Sequence, residues 1–341
     1  MRFRFWLVLS LLVASGTATA RWPGHPEERT SVQENTPSIE VAELHLDAPG
    51  VSPQPLHISV YLPPGYGART GRHYPVLYAN DGQDMSAVGL LGSLETLYRD
   101  RLIEPVIVVA VDMPPDRTGA YGLSDRKQAR SVIGDSRFGP IGTHAQDYTQ
   151  WFVTRLVPAI DARFRTQRTP EGRTVLGWSL GGLHAFNLAW QYPEIFGRVG
   201  AFSPSFWLAK DRSDGLSIDR TRFAQRMVDA SRKRPQLKLW FSVGSAEETD
   251  DRDHDGVIDA VGDVRDLIEG YRIPGGGHLR GLRQLGYRVN MDYAQHPSRQ
   301  ANVAFYLLDE GKHNQASWAM MLPPFLQWAY GSKSANHYTV R

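Results

Sequence analysis

The stretch that most constrains this chain is Thr174-Val175-Leu176-Gly177-Trp178-Ser179-Leu180-Gly181-Gly182. Three apolar or β-branched residues run into a Gly-x-Ser-x-Gly turn, and a helix-forming run, residues 183–190, follows. Between a strand and a helix, such a turn holds its serine in a strained backbone conformation with Oγ lifted above the sheet edge. Small residues on either side let the two backbones approach. The N–H of Leu180 then falls in the first turn of the following helix, where unpaired donors and the helix dipole favour negative charge. An oxyanion formed by attack of the serine on a carbonyl needs a donor there. The five-residue motif alone is common, and its weight comes from the strand before it and the helix after it.

The rest of the chain supplies the sheet such a turn requires. Leu56-His57-Ile58-Ser59-Val60-Tyr61-Leu62 alternates and ends at Pro63-Pro64-Gly65, a strand and a turn. Residues 74–79 and 105–111 are short continuous apolar runs, as expected of strands buried on both faces. Residues 199–202, 237–243 and 303–308 read as further strands, and residues 318–328 as a closing helix. A helix is expected from Thr143, with Thr143 and Gln146 as a capping box. Tyr148, Phe152, Leu156, Ile160 and Phe164 form its buried stripe, and Pro158 should kink it or end it early. Strands alternating with helices predict an α/β fold, a mostly parallel sheet with helices on both faces, in one catalytic domain over residues 41–331.

A serine hydroxyl is a poor nucleophile unless a base takes its proton and a third group orients that base. In this type of fold the order is serine, acid, histidine, each on a loop at the C-terminal end of a strand. Of the eleven histidines, only His313 comes shortly after a buried-type strand, in Asp309-Glu310-Gly311-Lys312-His313-Asn314. His296 competes, because residues 287–289 have strand character; His254, His278 and His337 lie in an acidic loop, a glycine-rich segment and a polar tail. The acid should follow residues 237–243, where Glu247, Glu248 and Asp250 are all candidates and spacing does not choose among them. A second oxyanion donor should come from the loop after an early strand. Asn80-Asp81-Gly82-Gln83 fits, with the N–H of Gln83 pointing at the site.

Asp251-Arg252-Asp253-His254-Asp255-Gly256-Val257-Ile258-Asp259 places carboxylates at loop positions 1, 3, 5 and 9, a glycine at 6, and the Val257 carbonyl at 7. This is the first part of an EF-hand-type calcium loop. It departs at position 12, where Gly262 replaces the usual glutamate and Asp263 comes one residue late. A structural Ca2+ that fixes the acid-bearing loop is the expectation. The serine chemistry itself needs no cofactor.

The N-terminus has the layout of a secretory signal peptide over residues 1–20: Arg2 and Arg4, an apolar run over residues 5–13, then Ala18-Thr19-Ala20. That run is too short to span a bilayer, and no later segment is apolar enough to do so. Export to the periplasm or outside is therefore expected, with a flexible segment over residues 21–40 and a polar tail over residues 332–341. The 341 residues contain no cysteine, which excludes disulfides and thiolate metal sites. A net charge of +2 gives no reason to expect nucleic acid as a partner.

These pieces together resemble the esterase D-like family of α/β-hydrolases. The resemblance runs over about residues 56–330 and rests on Tyr74-Pro75-Val76-Leu77-Tyr78 leading to Asp81-Gly82-Gln83, and on Gly177-Trp178-Ser179-Leu180-Gly181-Gly182. It also rests on Tyr192-Pro193-Glu194-Ile195-Phe196-Gly197, Ser203-Pro204-Ser205-Phe206-Trp207 and His313-Asn314-Gln315-Ala316-Ser317-Trp318. It implies Ser179 as nucleophile, His313 as base, Glu247 as acid, and the N–H groups of Gln83 and Leu180 as the oxyanion hole. By the same analogy Phe206, Trp207 and Trp318 line the substrate pocket. A segment over about residues 250–300, carrying the acidic loop, is an insertion between acid and histidine. The expected activity is hydrolysis of a small-molecule or glycan ester through an acyl-enzyme. Acyl transfer to a sugar or lipid alcohol, or a calcium-binding role on a retired hydrolase scaffold, are the alternatives.

Overall fold

A computed structural model describes residues 38–332, apart from 138. The signal peptide, the lead-in up to residue 37 and the tail from residue 333 lie outside the described residues. Nine strands form the main sheet: β1 (Glu40–Leu46), β2 (Leu56–Leu62), β3 (Val76–Ala79), β4 (Ile107–Val111), β5 (Arg173–Trp178), β6 (Arg198–Phe202), β7 (Lys238–Gly244), β8 (Val289–Asn290) and β9 (Val303–Leu308). Their order is β1-β2-β4-β3-β5-β6-β7-β9-β8. β2 runs antiparallel to β1 and to β4, and every other pair is parallel. The segment over residues 250–300 adds an edge strand of its own, β8, as well as a helix and a small ribbon pairing Tyr271–Arg272 with His278–Leu279.

The central strands are apolar at successive positions because both faces of the sheet are covered, and successive side chains point to opposite faces. Tyr78, Val175 and Phe241 join one buried cluster, while Leu77, Leu176 and Trp240 join the other. The first cluster is closed by helices α2 (Ala145–Trp151), α3 (Val157–Arg163), α4 (Leu180–Gln191) and α5 (Asp259–Glu269). The second is closed by α1 (Leu90–Arg99) and α6 (Gln315–Tyr330). Tyr148, Phe152, Leu156 and Ile160 are buried as the fourfold spacing predicted, whereas Phe164 caps the end of α3 in extended conformation.

Two local expectations are corrected. The capping box does not form, since His144 stands at the N-cap of α2 and the Gln146 N–H is held by Ser131 Oγ at 3.0 Å. Nor does Pro158 end the helix. A π-helical turn over Phe152–Leu156 precedes it, and Pro158 takes the start of α3, where a missing N–H costs least.

A buried polar strap ties α4 to the end of β3 and to α2. His184, fully buried on α4, lies 3.2 Å from Asn80 Nδ2 through Nδ1 and 3.3 Å from Thr149 Oγ1 through Nε2. The amide nitrogen donates, so Nδ1 accepts and Nε2 carries the hydrogen. Burial lowers the His184 pKa to about 3, because the charged form cannot be hydrated there. Below the ordinary histidine pKa, near 6.5, the unfolded chain takes up a proton that the folded chain refuses, so stability is lost as pH falls from that value toward 3. Compared with a His184→Asn variant, the wild type should lose about 2 kcal/mol more between pH 7 and pH 5. Urea unfolding of both proteins at the two pH values checks this, and parallel losses would contradict it.

Candidate active site

The site begins at the backbone of Ser179, which sits at φ 57, ψ −126 between β5 and α4. Two glycines make this turn possible. A Cβ on Gly177 would lie 2.2 Å from the Gly181 carbonyl oxygen, and a Cβ on Gly181 would lie 2.5 Å from an Asp81 carboxylate oxygen. Positive φ at a non-glycine residue persists only where the surroundings over-determine it. Here the Ser179 N–H is held by the Phe202 carbonyl at 3.0 Å. The Ser179 side chain is half-buried, with Oγ 3.5 Å from Ser205 Oγ.

The loop after β3 abuts this turn. Asn80 Nδ2 donates to the Gly181 carbonyl at 2.9 Å, and Asp81 takes a left-handed conformation, φ 56, ψ 50. In the tight turn that follows, the N–H groups of Asp84 and Met85 are bonded internally, while that of Gln83 is skipped. Among the described residues, neither the Gln83 N–H nor the Leu180 N–H donates to a protein acceptor. The Gln83 side chain is anchored, its Oε1 accepting from the Met113 N–H at 3.0 Å. Beneath it the buried Asp81 carboxylate accepts from Arg117 Nε at 2.7 Å and from its terminal nitrogen at 3.0 Å. Burial pushes the Asp81 carboxyl pKa up, opposed by the Arg117 guanidinium.

Loops after β6, β7 and β9 complete the cluster at the C-terminal ends of parallel strands, the usual ligand edge of such sheets. His313 Nδ1 lies 2.8 Å from Glu247 Oε2. The Glu247 side chain is 2% exposed and that of His313 41% exposed. An ionised carboxylate only accepts, so with Glu247 in that form Nδ1 carries the hydrogen and Nε2 is left free to accept. Glu247 Oε1 accepts from the Gly244 N–H at 2.7 Å and from Ser203 Oγ at 2.5 Å. The His313 ring packs edge-on against Trp318, and Trp318 stacks on Trp178, the neighbour of Ser179. Ser179 Oγ and His313 are not hydrogen-bonded to each other in this structure. Such contacts are often long in free enzymes and tighten with substrate.

Of the other acid candidates, Glu248 turns its side chain elsewhere, while Asp250 is bonded through its backbone. The Glu248 carboxylate accepts from the Ala260 N–H at the start of α5, and the Asp250 carbonyl accepts from the Asp259 N–H. His296 is a surface residue paired with Asp292. The three aromatics expected at the pocket differ in their surroundings. Phe206 is core, packed on Phe186 and Phe241, and Trp318 is buried with its indole N–H bonded to Ser203 Oγ. Trp207 is half-buried, with the Arg212 guanidinium over its ring.

In the acidic loop, Asp251, Asp253 and Asp255 bring carboxylate oxygens within 4.8 Å of one another. Asp259 is not part of this group. Its carboxylate accepts from the Arg252 N–H at 2.8 Å and pairs with the Arg252 guanidinium at 3.1 Å, because Arg252 is drawn into a buried cluster with Asp219 and Asp263. The Val257 N–H donates to Asp255 Oδ1.

Three further residues in contact with these groups, Ser203, Arg117 and His184, carry no individual signal in the sequence. Ser203 lies in Ser203-Pro204-Ser205-Phe206-Trp207, a stretch that marks no role for its side chain. The others are joined to the site by contacts far apart in sequence.

A family model described as Putative esterase matches residues 51–281. The chain belongs to that family. It is 29% identical over 269 residues to Uncharacterized protein YjcH of Bacillus subtilis, covering 79% of this chain and 88% of that protein. It is 30% identical over 172 residues to an Endo-1,4-beta-xylanase/feruloyl esterase of Xylanibacter ruminicola, covering 47% of this chain but only 21% of that protein. Among solved structures it resembles a ferulic acid esterase, with TM-score 0.56 and 15% identity over 86% of this chain and 99% of that one. It also resembles the enterochelin esterase of Shigella flexneri, with TM-score 0.56 and 15% identity over 85% of this chain and 59% of that one. These structural likenesses bear on the fold, and the chain is an esterase with the α/β-hydrolase fold.

Removing the counter-ion of Asp81 tests the support beneath the Gln83 turn. Arg117→Ala should cost about 2–4 kcal/mol, since it strands a buried carboxylate. Adding Asp81→Asn should recover part of that loss. An unchanged urea midpoint for Arg117→Ala would show that the pair does not hold the turn.

Proposed function

We propose that this carboxylic ester hydrolase is an exported serine esterase working through an acyl-enzyme, with Ser179 as nucleophile, His313 as base and Glu247 as the acid. The observation that carries this reading is the 2.8 Å pairing of His313 Nδ1 with the buried Glu247 carboxylate at the same sheet edge as the strained Ser179. His313 Nε2 takes the Ser179 proton as Oγ attacks the ester carbonyl. The developing oxyanion accepts from the N–H groups of Leu180 and Gln83, which have no acceptor to give up among the described residues. The imidazolium, held by Glu247, returns the proton to the leaving alcohol. Water, deprotonated by the same nitrogen, then releases the acid and restores Ser179. Donors already aimed at the oxyanion need no reorganisation during the reaction, which is where most of the rate gain arises.

The signal-peptide layout supports a substrate met outside the cytoplasm. Feruloyl esters of glycans and siderophore-type lactone esters are the first classes to test, in keeping with the names of the relatives and structural neighbours. Ser179→Ala should lower hydrolysis of p-nitrophenyl acetate by about three orders of magnitude or more with an unchanged circular dichroism spectrum, and Glu247→Gln by about two to four orders. Normal turnover by Ser179→Ala would end the proposal.

The acidic loop is proposed to hold a calcium ion through Asp251, Asp253 and Asp255, without a part in the chemistry. Calcium should raise the melting temperature of chelator-treated protein, and Asp253→Asn should remove that response. If calcium produces neither a thermal shift nor a calorimetric heat, the ion is not bound.

A further inference from the structure

Beside Glu247 and His313 lies Ser203, a residue with no part in the proton transfers. Ser203 is a non-glycine residue at φ 44, 3% exposed, in the first position after β6. A serine held there at a backbone cost implies that its side chain does something a glycine would not. Its Oγ lies 2.9 Å from Trp318 Nε1 and 2.5 Å from Glu247 Oε1. An indole N–H only donates, so the Ser203 oxygen accepts from Trp318 and its hydrogen is left for the carboxylate. The chain of bonds has one polarity: Trp318 to Ser203, Ser203 to Glu247, with His313 donating to the other carboxylate oxygen.

Resting on that catalytic reading, we propose that Ser203, oriented by the Trp318 indole N–H, is a positioning residue that fixes the Glu247 carboxylate so that Oε2 meets His313 Nδ1. Four features place it between nucleophile and acid. The Ser203 N–H donates to the Ser242 carbonyl at 2.7 Å, continuing the β6–β7 register. Two residues on, the Ser205 N–H donates to the Ser179 carbonyl at 3.1 Å. The Gly244 N–H supplies the second bond to Oε1, so that oxygen is held from two strands at once. Trp318 supports the His313 ring edge-on while spending its N–H on Ser203. One short turn thus reports the position of the nucleophile to the acid, and one indole reports that of the base.

The test compares Ser203→Gly, Trp318→Phe and the double variant in the full chain. Glycine accepts the backbone conformation, so Ser203→Gly removes the hydroxyl without backbone strain. It should lower kcat by about tenfold or more, with KM little changed, and slow fluorophosphonate labelling of Ser179 in proportion. Trp318→Phe keeps a ring stacked on Trp178 and should give a smaller fall of the same kind. Each single change also strands a buried partner, and removing both ends of a bond relieves that cost. The double variant should therefore regain thermal stability while kcat stays low. A merely structural bond would return kcat along with stability, and that result, or a Ser203→Gly enzyme within twofold of wild-type kcat, overturns the proposal. Wild-type protein that neither hydrolyses esters nor is labelled at Ser179 would instead overturn the catalytic reading, and this proposal with it.

Discussion

The contact on which the structure depends is the one between the backbones of Gly177 and Gly181. No side chain fits there, because the Gly181 carbonyl oxygen occupies the place of a Gly177 Cβ. That closeness forces the chain from β5 into α4 within one residue and leaves Ser179 in a conformation that an unconstrained serine avoids. Three consequences follow from one steric fact. Ser179 is held at positive φ, the Leu180 N–H opens a helix with no protein acceptor among the described residues, and the Asn80–Asp81 loop is drawn in against the Gly181 backbone.

Around that turn, orientation is imposed by groups that can act in only one sense. An indole and an arginine only donate, and an ionised carboxylate only accepts. Trp318 therefore dictates the Ser203 hydroxyl, Glu247 dictates the His313 tautomer, and Arg117 fixes Asp81 under the Gln83 turn. The apolar layers carry this polar frame. Trp178 belongs to the same buried cluster as α6 and stacks on Trp318, so the residue before the serine and the residue behind the histidine share one packed face. Preorganisation of this kind sets donor and acceptor directions before substrate arrives.

Much of the fold was legible because its signals are local. Continuous apolar runs in Val76–Ala79 and Ile107–Val111 mark strands covered on both sides, and alternation in Leu56–Leu62 marks an edge-ward strand. The strained turn at Ser179 and the place of His313 on the loop after β9 follow from turn chemistry and chain order. The acid was not readable from spacing, because Glu247, Glu248 and Asp250 differ only in the direction their side chains take within one loop; family resemblance pointed to Glu247, and the geometry pairs it with His313. The packing of Phe206 and Trp318 is not legible, because an aromatic beside a motif carries no mark of which face it joins. His184 was hidden among apolar helical neighbours, and the Asp81–Arg117 pair spans a separation that sequence periodicity does not register. Asp259 left the acidic group because Arg252, placed inside the loop, had stronger buried partners to satisfy.

The central claim is geometric, and a crystal structure of the protein after reaction with an organophosphonate ester tests it most directly. Phosphorus is expected on Ser179 Oγ, with the phosphoryl oxygen about 2.7–3.1 Å from the backbone nitrogens of both Leu180 and Gln83. A phosphoryl oxygen turned to solvent, or an adduct on any other residue, would contradict it.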